Sequence, residues 1–162
     1  SKAPNHQTAR TVPLKFRTDV AMCGRLGMEI QPKVLSDVDK DQCRKAIADY
    51  KRIRPIVQFG DLYRLQSPFE KKGVASLMYV TETKDKFCNQ HLPRIPMAGL
   101  DPQKRYRVTE LNRIDHSPLS FEGKTFSGEY LMQNGLEIPY GHNADWGKAN
   151  EWASRVLLLE AL

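Results

Sequence analysis

The stretch YKRIRPIVQFGDLYRL, Tyr50 to Leu65, changes its hydrophobic period partway along. On its amino-terminal side, Cys43, Ala46, Ile47, Tyr50, Ile53 and Val57 recur every three or four residues, while Arg44, Lys45, Asp49 and Lys51 fall mostly between them. That spacing predicts an amphipathic helix with one apolar face. Pro55 is expected to kink or end it, because proline has no N–H and its ring clashes with the preceding turn. Gly60 closes the segment. Beyond it, the apolar residues come in short β-prone runs: Leu62 to Leu65, Val74 to Thr81, Tyr106 to Leu111, Thr125 to Met132 and Arg155 to Glu160. A helical chain therefore gives way to strands near residue 60.

Working upstream, Ser36 followed three residues later by Asp39 predicts an N-cap. Asp37, Asp39 and Asp41 suit the positive end of the helix dipole. Before that, VAMCGRLGMEI, Val20 to Ile30, is apolar and punctuated by glycine, which reads as a buried strand and a turn into the helix. Downstream, Leu100-Asp101-Pro102-Gln103 reads as a turn and Asn134-Gly135 as a reversal. The expected organisation is α/β over residues 1–60, then an all-β antiparallel sandwich over residues 61–162.

A chain of 162 residues with 40% hydrophobic and 27% charged residues is long enough, and apolar enough, for a folded core, which excludes a disordered tail. No apolar run approaches the ~18 residues of a membrane span. The net charge of +6 is spread thinly, with Lys71-Lys72 and Lys104-Arg105 separated by acids, so nucleic acid is not an expected partner. Cys23, Cys43 and Cys88 are odd in number and far apart, and read as free thiols. The opening SKAPNHQ has neither a starting Met nor a targeting segment, so the chain is expected to be part of a longer polypeptide, with its compartment open between cytoplasm and periplasm.

Residue types alone nominate little chemistry. His6, His91, His116 and His142 are too scattered for a metal motif, so no metal is predicted. Ser76, Ser117 and Ser127 lack a nucleophile elbow, and Gly24-Arg25-Leu26-Gly27 lacks the spacing of a phosphate loop. Phe126, Tyr130, Tyr140, Trp146 and Trp152 could stack on sugar rings, but core packing is the favoured account of Phe126 and Trp152. No carboxylate pair can be chosen without geometry.

A longer pattern carries more. PNHQTAR (4–10), GRLGMEI (24–30), YKRIRPIVQFGDLYRL (50–65), GVASLMYV (73–80), LPRIPMAGLDPQKRYRV (92–108), GEYLMQNGLEIPY (128–140) and SRVLLLE (154–160), in this order, resemble the carboxy-terminal part of α-galactosidases of glycoside hydrolase family 36. The resemblance implies the last units of a (β/α)8 TIM barrel over 1–60 and the carboxy-terminal β-sandwich over 61–162. Residues 1–10 then correspond to the loop after the seventh strand, Val20 to Ile30 to the eighth strand and its turn, and Ser36 to Gly60 to the last helix.

The implied activity is retaining hydrolysis of terminal α-galactosyl residues of raffinose- or melibiose-type oligosaccharides, with no cofactor. Both catalytic carboxylates of the family lie upstream of Ser1, so no catalytic residue is carried over. Loops at the carboxyl ends of barrel strands form the active-site face. Asn5, His6, Gln7 and Arg10 are therefore expected on the substrate side, positioning loops rather than doing chemistry. The implied partners are the α-galactoside, the upstream barrel segment and, as a homo-oligomer, further copies of the chain. The family also has an apolar strand between MYVTETKDK (78–86) and FCNQHLPR (87–94), and here one sandwich strand is expected to be missing. The competing reading is a non-catalytic β-sandwich that binds carbohydrate or serves assembly.

Overall fold

The computed structural model describes residues 4, 9–69, 75–90, 96–114, 118–137 and 154–162. Two helices come first, α1 (Leu14–Met22) and α2 (Asp37–Phe59), joined through a 3-10 turn at Pro32–Val34. Strands β1 (Asp61–Gln66), β2 (Ser76–Val80), β3 (Lys86–Gln90), β4 (Arg105–Leu111) and β5 (Thr125–Ser127) follow, then α3 (Gly128–Asn134) and β6 (Val156–Ala161). All six strands form one sheet in the order β1-β2-β3-β6-β4-β5. Every pairing is antiparallel.

The sheet is the middle layer, and β6 shows why. Successive strand side chains point to opposite faces. Val156 and Leu158 accordingly join Ala46, Tyr50, Ile53 and Ile56 of α2 and Met22 of α1 in one core. Leu157 and Leu159 join Met78, Val80, Tyr106 and Val108 in the other. Covering each of these leucines contributes about 1.5–3 kcal/mol. The run Val156 to Leu159 lacks polar alternation because neither face of this strand meets water. The far core is closed by Met97, Leu100, Leu119, Phe121, Leu131 and Leu136, which come from α3 and from segments outside the strands. Among the described residues the antiparallel β part is thus one sheet flanked by helices on one side and by α3 and loops on the other, without a second sheet.

The α2 cap forms as its sequence predicts. The Asp39 amide donates to Ser36 Oγ at 3.1 Å, and the Ser36 hydroxyl donates to Asp39 Oδ2 at 2.8 Å. Pro55 does not end the helix, which runs on to Phe59. The position survives because burial of Ile53 and Ile56 on the sheet outweighs one lost backbone hydrogen bond. Ile47, expected on the apolar face, is 39% exposed, because the buried face follows Cys43, Ala46, Tyr50, Ile53 and Ile56 instead. Gly60 is required at the helix-to-strand corner: a Cβ there would lie 2.5 Å from Ile56 O and 2.7 Å from Val80 O.

Three further expectations change. Val20 to Met22 finish α1 rather than open a strand, and residues 24–30 belong to no ladder. A parallel barrel strand needs neighbouring strands to bond, and none among the described residues lies beside it. Thr125 to Met132 is strand only to Ser127, whose Oγ accepts from the Tyr130 amide at 3.2 Å and caps α3. Asn134-Gly135 accordingly ends a helix, with Gly135 at φ +64°, rather than turning a hairpin. Among the described residues no gap opens in the sheet at the position where a family strand is expected to be missing. The turn at Thr81–Asp85 leads directly into β3, which pairs with β2 on one side and β6 on the other.

Candidate functional site

The expected substrate-side residues Asn5, His6 and Gln7 lie outside the described residues. Arg10 is described and exposed, and it makes no hydrogen bond or ion pair among the described residues. From there the chain enters α1 through Pro13, whose carbonyl accepts from the Arg17 amide at 3.1 Å. Proline suits this boundary because its fixed φ is compatible with the first turn.

The concave feature near this entry is a cleft of about 590 Å³ lined by Arg17, Met28, Glu29, Ile30, Val34 and Asp39, among others. It lies where the segment 24–30 reaches its carboxyl end and turns through Pro32–Val34 to Ser36. Its lining mixes one cation and two carboxylates with apolar side chains. Asp39 is committed to the helix cap. Glu29 is exposed and makes no hydrogen bond or ion pair among the described residues.

Segment 24–30 itself is placed from one side. The Tyr79 hydroxyl of β2 donates to Cys23 O at 2.6 Å, and the Tyr50 hydroxyl of α2 donates to Gly24 O at 2.7 Å. Burial then alternates: Leu26, Met28 and Ile30 are half-buried, whereas Arg25, Gly27 and Glu29 are exposed. Leu26 and Met28 pack on the α1/α2 core, and a small cavity of about 30 Å³ lies between α1 and residues 26–30.

A second polar cluster, not foreseen from sequence, is closed to solvent. Asp19 of α1 is fully buried. It accepts from the Lys15 ammonium, from Asn112 Nδ2 at 2.6 Å and from the Ser154 hydroxyl at 2.7 Å. Asn112 Nδ2 also donates to Thr18 Oγ1 at 3.0 Å, and its amide donates to Asp49 Oδ2 at 2.7 Å. Beside it, Arg155 Nη1 donates to Glu110 Oε1 at 2.7 Å, with both side chains nearly covered. The only sequence signal was the Lys15/Asp19 spacing of four; the positive φ of Asn112, +49°, belongs to the fold. Both Asp19 oxygens are occupied, so this cluster ties α1 to the ends of β4 and β6 and offers no free acid or base.

Other candidate groups are quiet. Burial, and then Asp19, push the Cys23 thiol up to about 11. Burial also raises that of Cys43, with Asp39 adding and Arg17 opposing. Both thiols are free, and neither is a ready nucleophile. No group of three or more His, Cys, Asp or Glu side chains among the described residues could hold a metal. Phe126 and Tyr130 stack on each other at a centroid separation of 5.6 Å, and Phe126 also packs on the far core. Tyr140, Trp146 and Trp152 lie outside the described residues.

Comparison with known proteins supplies what this geometry leaves open. The family model described as the glycosyl hydrolase family 36 C-terminal domain matches residues 70–159, and that described as melibiase matches residues 1–60. Probable alpha-galactosidase G of Emericella nidulans is 36% identical over 158 residues, covering 91% of this chain and 20% of the relative. Alpha-galactosidase AgaA of Geobacillus stearothermophilus is 31% identical over 149 residues, covering 86% of this chain and 19% of the relative. Among solved structures, the α-galactosidase of Lactobacillus brevis aligns over 99% of this chain and 22% of its own, with a TM-score of 0.82 and 29% identity. A variant of the Geobacillus AgaA in complex with raffinose aligns over 99% of this chain and 21% of its own, at TM-score 0.81 and 27% identity. The chain spans about a fifth of the length of these relatives.

Proposed function

Because the chain belongs to glycosyl hydrolase family 36, we propose that it is the carboxy-terminal part of a retaining α-galactosidase acting on raffinose- and melibiose-type oligosaccharides. Residues 1–60 form the last units of its (β/α)8 barrel, and residues 61–162 its carboxy-terminal β domain. The observation that carries this is the succession of the two family matches along one chain, 1–60 and then 70–159. The substrate class comes from the relative crystallised with raffinose.

In the retaining scheme one carboxylate attacks the anomeric carbon and the other protonates the leaving oxygen, the two standing about 5–5.5 Å apart. Both belong to the upstream barrel. This chain contributes packing and loop geometry: Asn5, His6, Gln7 and Arg10 sit on the loop after the seventh strand and steady the rim of the sugar site. Arg10 is suited to that task, since a guanidinium forks onto a carboxylate or carbonyl of a neighbouring loop.

The test compares the complete polypeptide with residues 1–162. The complete protein hydrolyses an aryl α-galactoside and raffinose; the 162-residue chain does not exceed a no-protein control, because it cannot form the glycosyl-enzyme. Turnover by the short chain, or inert complete protein, sinks the proposal. In the complete enzyme Arg10→Ala lowers galactoside cleavage and leaves the pH profile in place, as loosened geometry with intact acid and nucleophile requires. Unchanged kcat and KM would return the loop to a purely structural role.

A further inference from the structure

We infer that Glu29 points from the last barrel strand into the barrel and positions the sugar site by holding a cationic side chain of the upstream barrel. This rests on the barrel-end reading above. The two Tyr hydroxyls that grip Cys23 O and Gly24 O fix the start of segment 24–30 against α2 and β2. With the start fixed, the period-two alternation of an extended chain decides the rest. Leu26 and Met28 pack on the helix core, so Arg25 and Glu29 alternate to the other side of the segment, with Glu29 at the edge of the cleft that it lines with Arg17 and Asp39. In a (β/α)8 barrel the helices surround the strands, and the side away from them is the interior.

Chain direction then separates the two charged residues. Arg25 lies near the amino end of the segment, at the bottom of the barrel. Glu29 lies at the carboxyl end, one residue before the chain turns through Ile30 and Gln31 toward Pro32–Val34, and this is the end at which barrel enzymes place their sites. Glu29 has no hydrogen-bond or ion-pair partner among the described residues. Closing the barrel takes its carboxylate out of bulk water, and a desolvated carboxylate persists only when an opposite charge and N–H donors meet it. A side chain from an upstream strand, Arg or Lys, supplies both, and Glu29 in turn fixes where that cation points. Gly27, between them, leaves room for such a neighbour.

Two measurements on the complete polypeptide test this. With the wild-type cysteines as background, the thiol of Glu29→Cys is expected to react with a small methanethiosulfonate at least about tenfold more slowly than that of Lys51→Cys on the exposed face of α2. Equal rates would overturn the inward orientation. Glu29→Gln keeps the size and removes the charge. Its KM for an aryl α-galactoside is expected to rise about tenfold with kcat held within about twofold, and Glu29→Asp to recover part of the loss. An unchanged KM, or a loss confined to the amount of folded enzyme, would overturn the positioning role. A shielded Glu29→Cys in a wild type inert toward every α-galactoside would instead refute the α-galactosidase reading and leave the orientation standing.

Discussion

Replacing Asp19 by Ala should be among the most damaging single changes in the chain. Its carboxylate is fully buried and accepts from Lys15, Asn112 and Ser154, while the Lys15 side chain is 11% exposed. The pair does not exist for the helix's own sake, because Lys placed four residues before Asp is the weaker orientation on an isolated helix. Removing the carboxylate strands a covered ammonium, for which breaking a buried pair costs about 3–5 kcal/mol. It also removes the acceptor of two further donors, each worth about 1–3 kcal/mol if left unsatisfied. These losses overlap, since Lys15 retains Ser154 O at 3.1 Å and Asn112 retains Thr18. About 4 kcal/mol is therefore the expected total.

With a urea m-value near 2 kcal/mol/M, that loss moves the unfolding midpoint down by about 2 M. The assay is urea unfolding of the 162-residue chain followed by tryptophan fluorescence. Trp146 and Trp152 are its two tryptophans and lie close before Ser154 in sequence. The paired replacement Lys15→Met with Asp19→Leu removes both charges and should recover most of the stability. A loss below about 1 kcal/mol for Asp19→Ala, or a double variant no better than the single one, would refute the assignment of this cluster as the tie between α1 and the sheet.

Gly60→Ala should destabilise by about 1–3 kcal/mol, since its Cβ would meet two backbone carbonyl oxygens that cannot swing away; an unchanged melting temperature contradicts it. With its pKa pushed up to about 11 from 9.0, the Cys23 thiol holds about a hundredfold less thiolate near pH 8 than an unperturbed one, so it should label far more slowly in native than in denatured protein; similar rates would count against its burial. Hydrogen bonds from Thr81, and then Thr83, hold the Asp85 carboxyl below its ordinary value. A depressed folded pKa means that the stabilisation is fully present above the unfolded value of about 3.9 and disappears as pH falls through the folded one. The stability gap between wild type and Asp85→Asn should thus be constant from pH 7 to 5 and close below pH 4 in melting scans; a gap that widened on acidification would reverse the sign.

What the sequence made legible was what local physics decides. Ser36 and Asp39 can cap a helix within four residues, and Gly60 can mark its end without knowing what lies beside it. The strands at Asp61–Gln66, Ser76–Val80, Arg105–Leu111 and Val156–Ala161 announce themselves by β-prone apolar runs. Long-range contacts settle the rest. Pro55 stays in α2 because a sheet lies under Ile53 and Ile56. Phe87-Cys88-Asn89-Gln90 has too few apolar residues to declare a strand, and is one because β2 and β6 supply hydrogen-bonding edges on both sides. The substrate-side loop was nominated through resemblance, and of its four nominated residues only Arg10 is described. The buried Asp19 cluster joins residues 93 and 135 positions apart, a separation that no window of sequence spans.

The same long-range contacts give the β domain a task in the proposed enzyme. Residues 24–30 have no ladder of their own, yet their start is held by Tyr79 from the sheet and Tyr50 from the helix packed on that sheet. Met22, which ends α1, is buried in a core with Leu111, Val156 and Leu158 of β4 and β6. Asp19, one helical turn earlier, is locked to Asn112 and Ser154 at the ends of the same strands. The helix before the segment, the segment's first carbonyls and the helix after it are therefore all referenced to one sheet. A strand offered to a barrel from such a support arrives with its facing set, whereas a free one can slip by a residue and exchange its inward and outward side chains. In the complete enzyme proposed above, loosening the support by Tyr50→Phe and Tyr79→Phe together should raise KM for an aryl α-galactoside several-fold, and an unchanged KM and kcat would show that the sheet does not set the segment's facing.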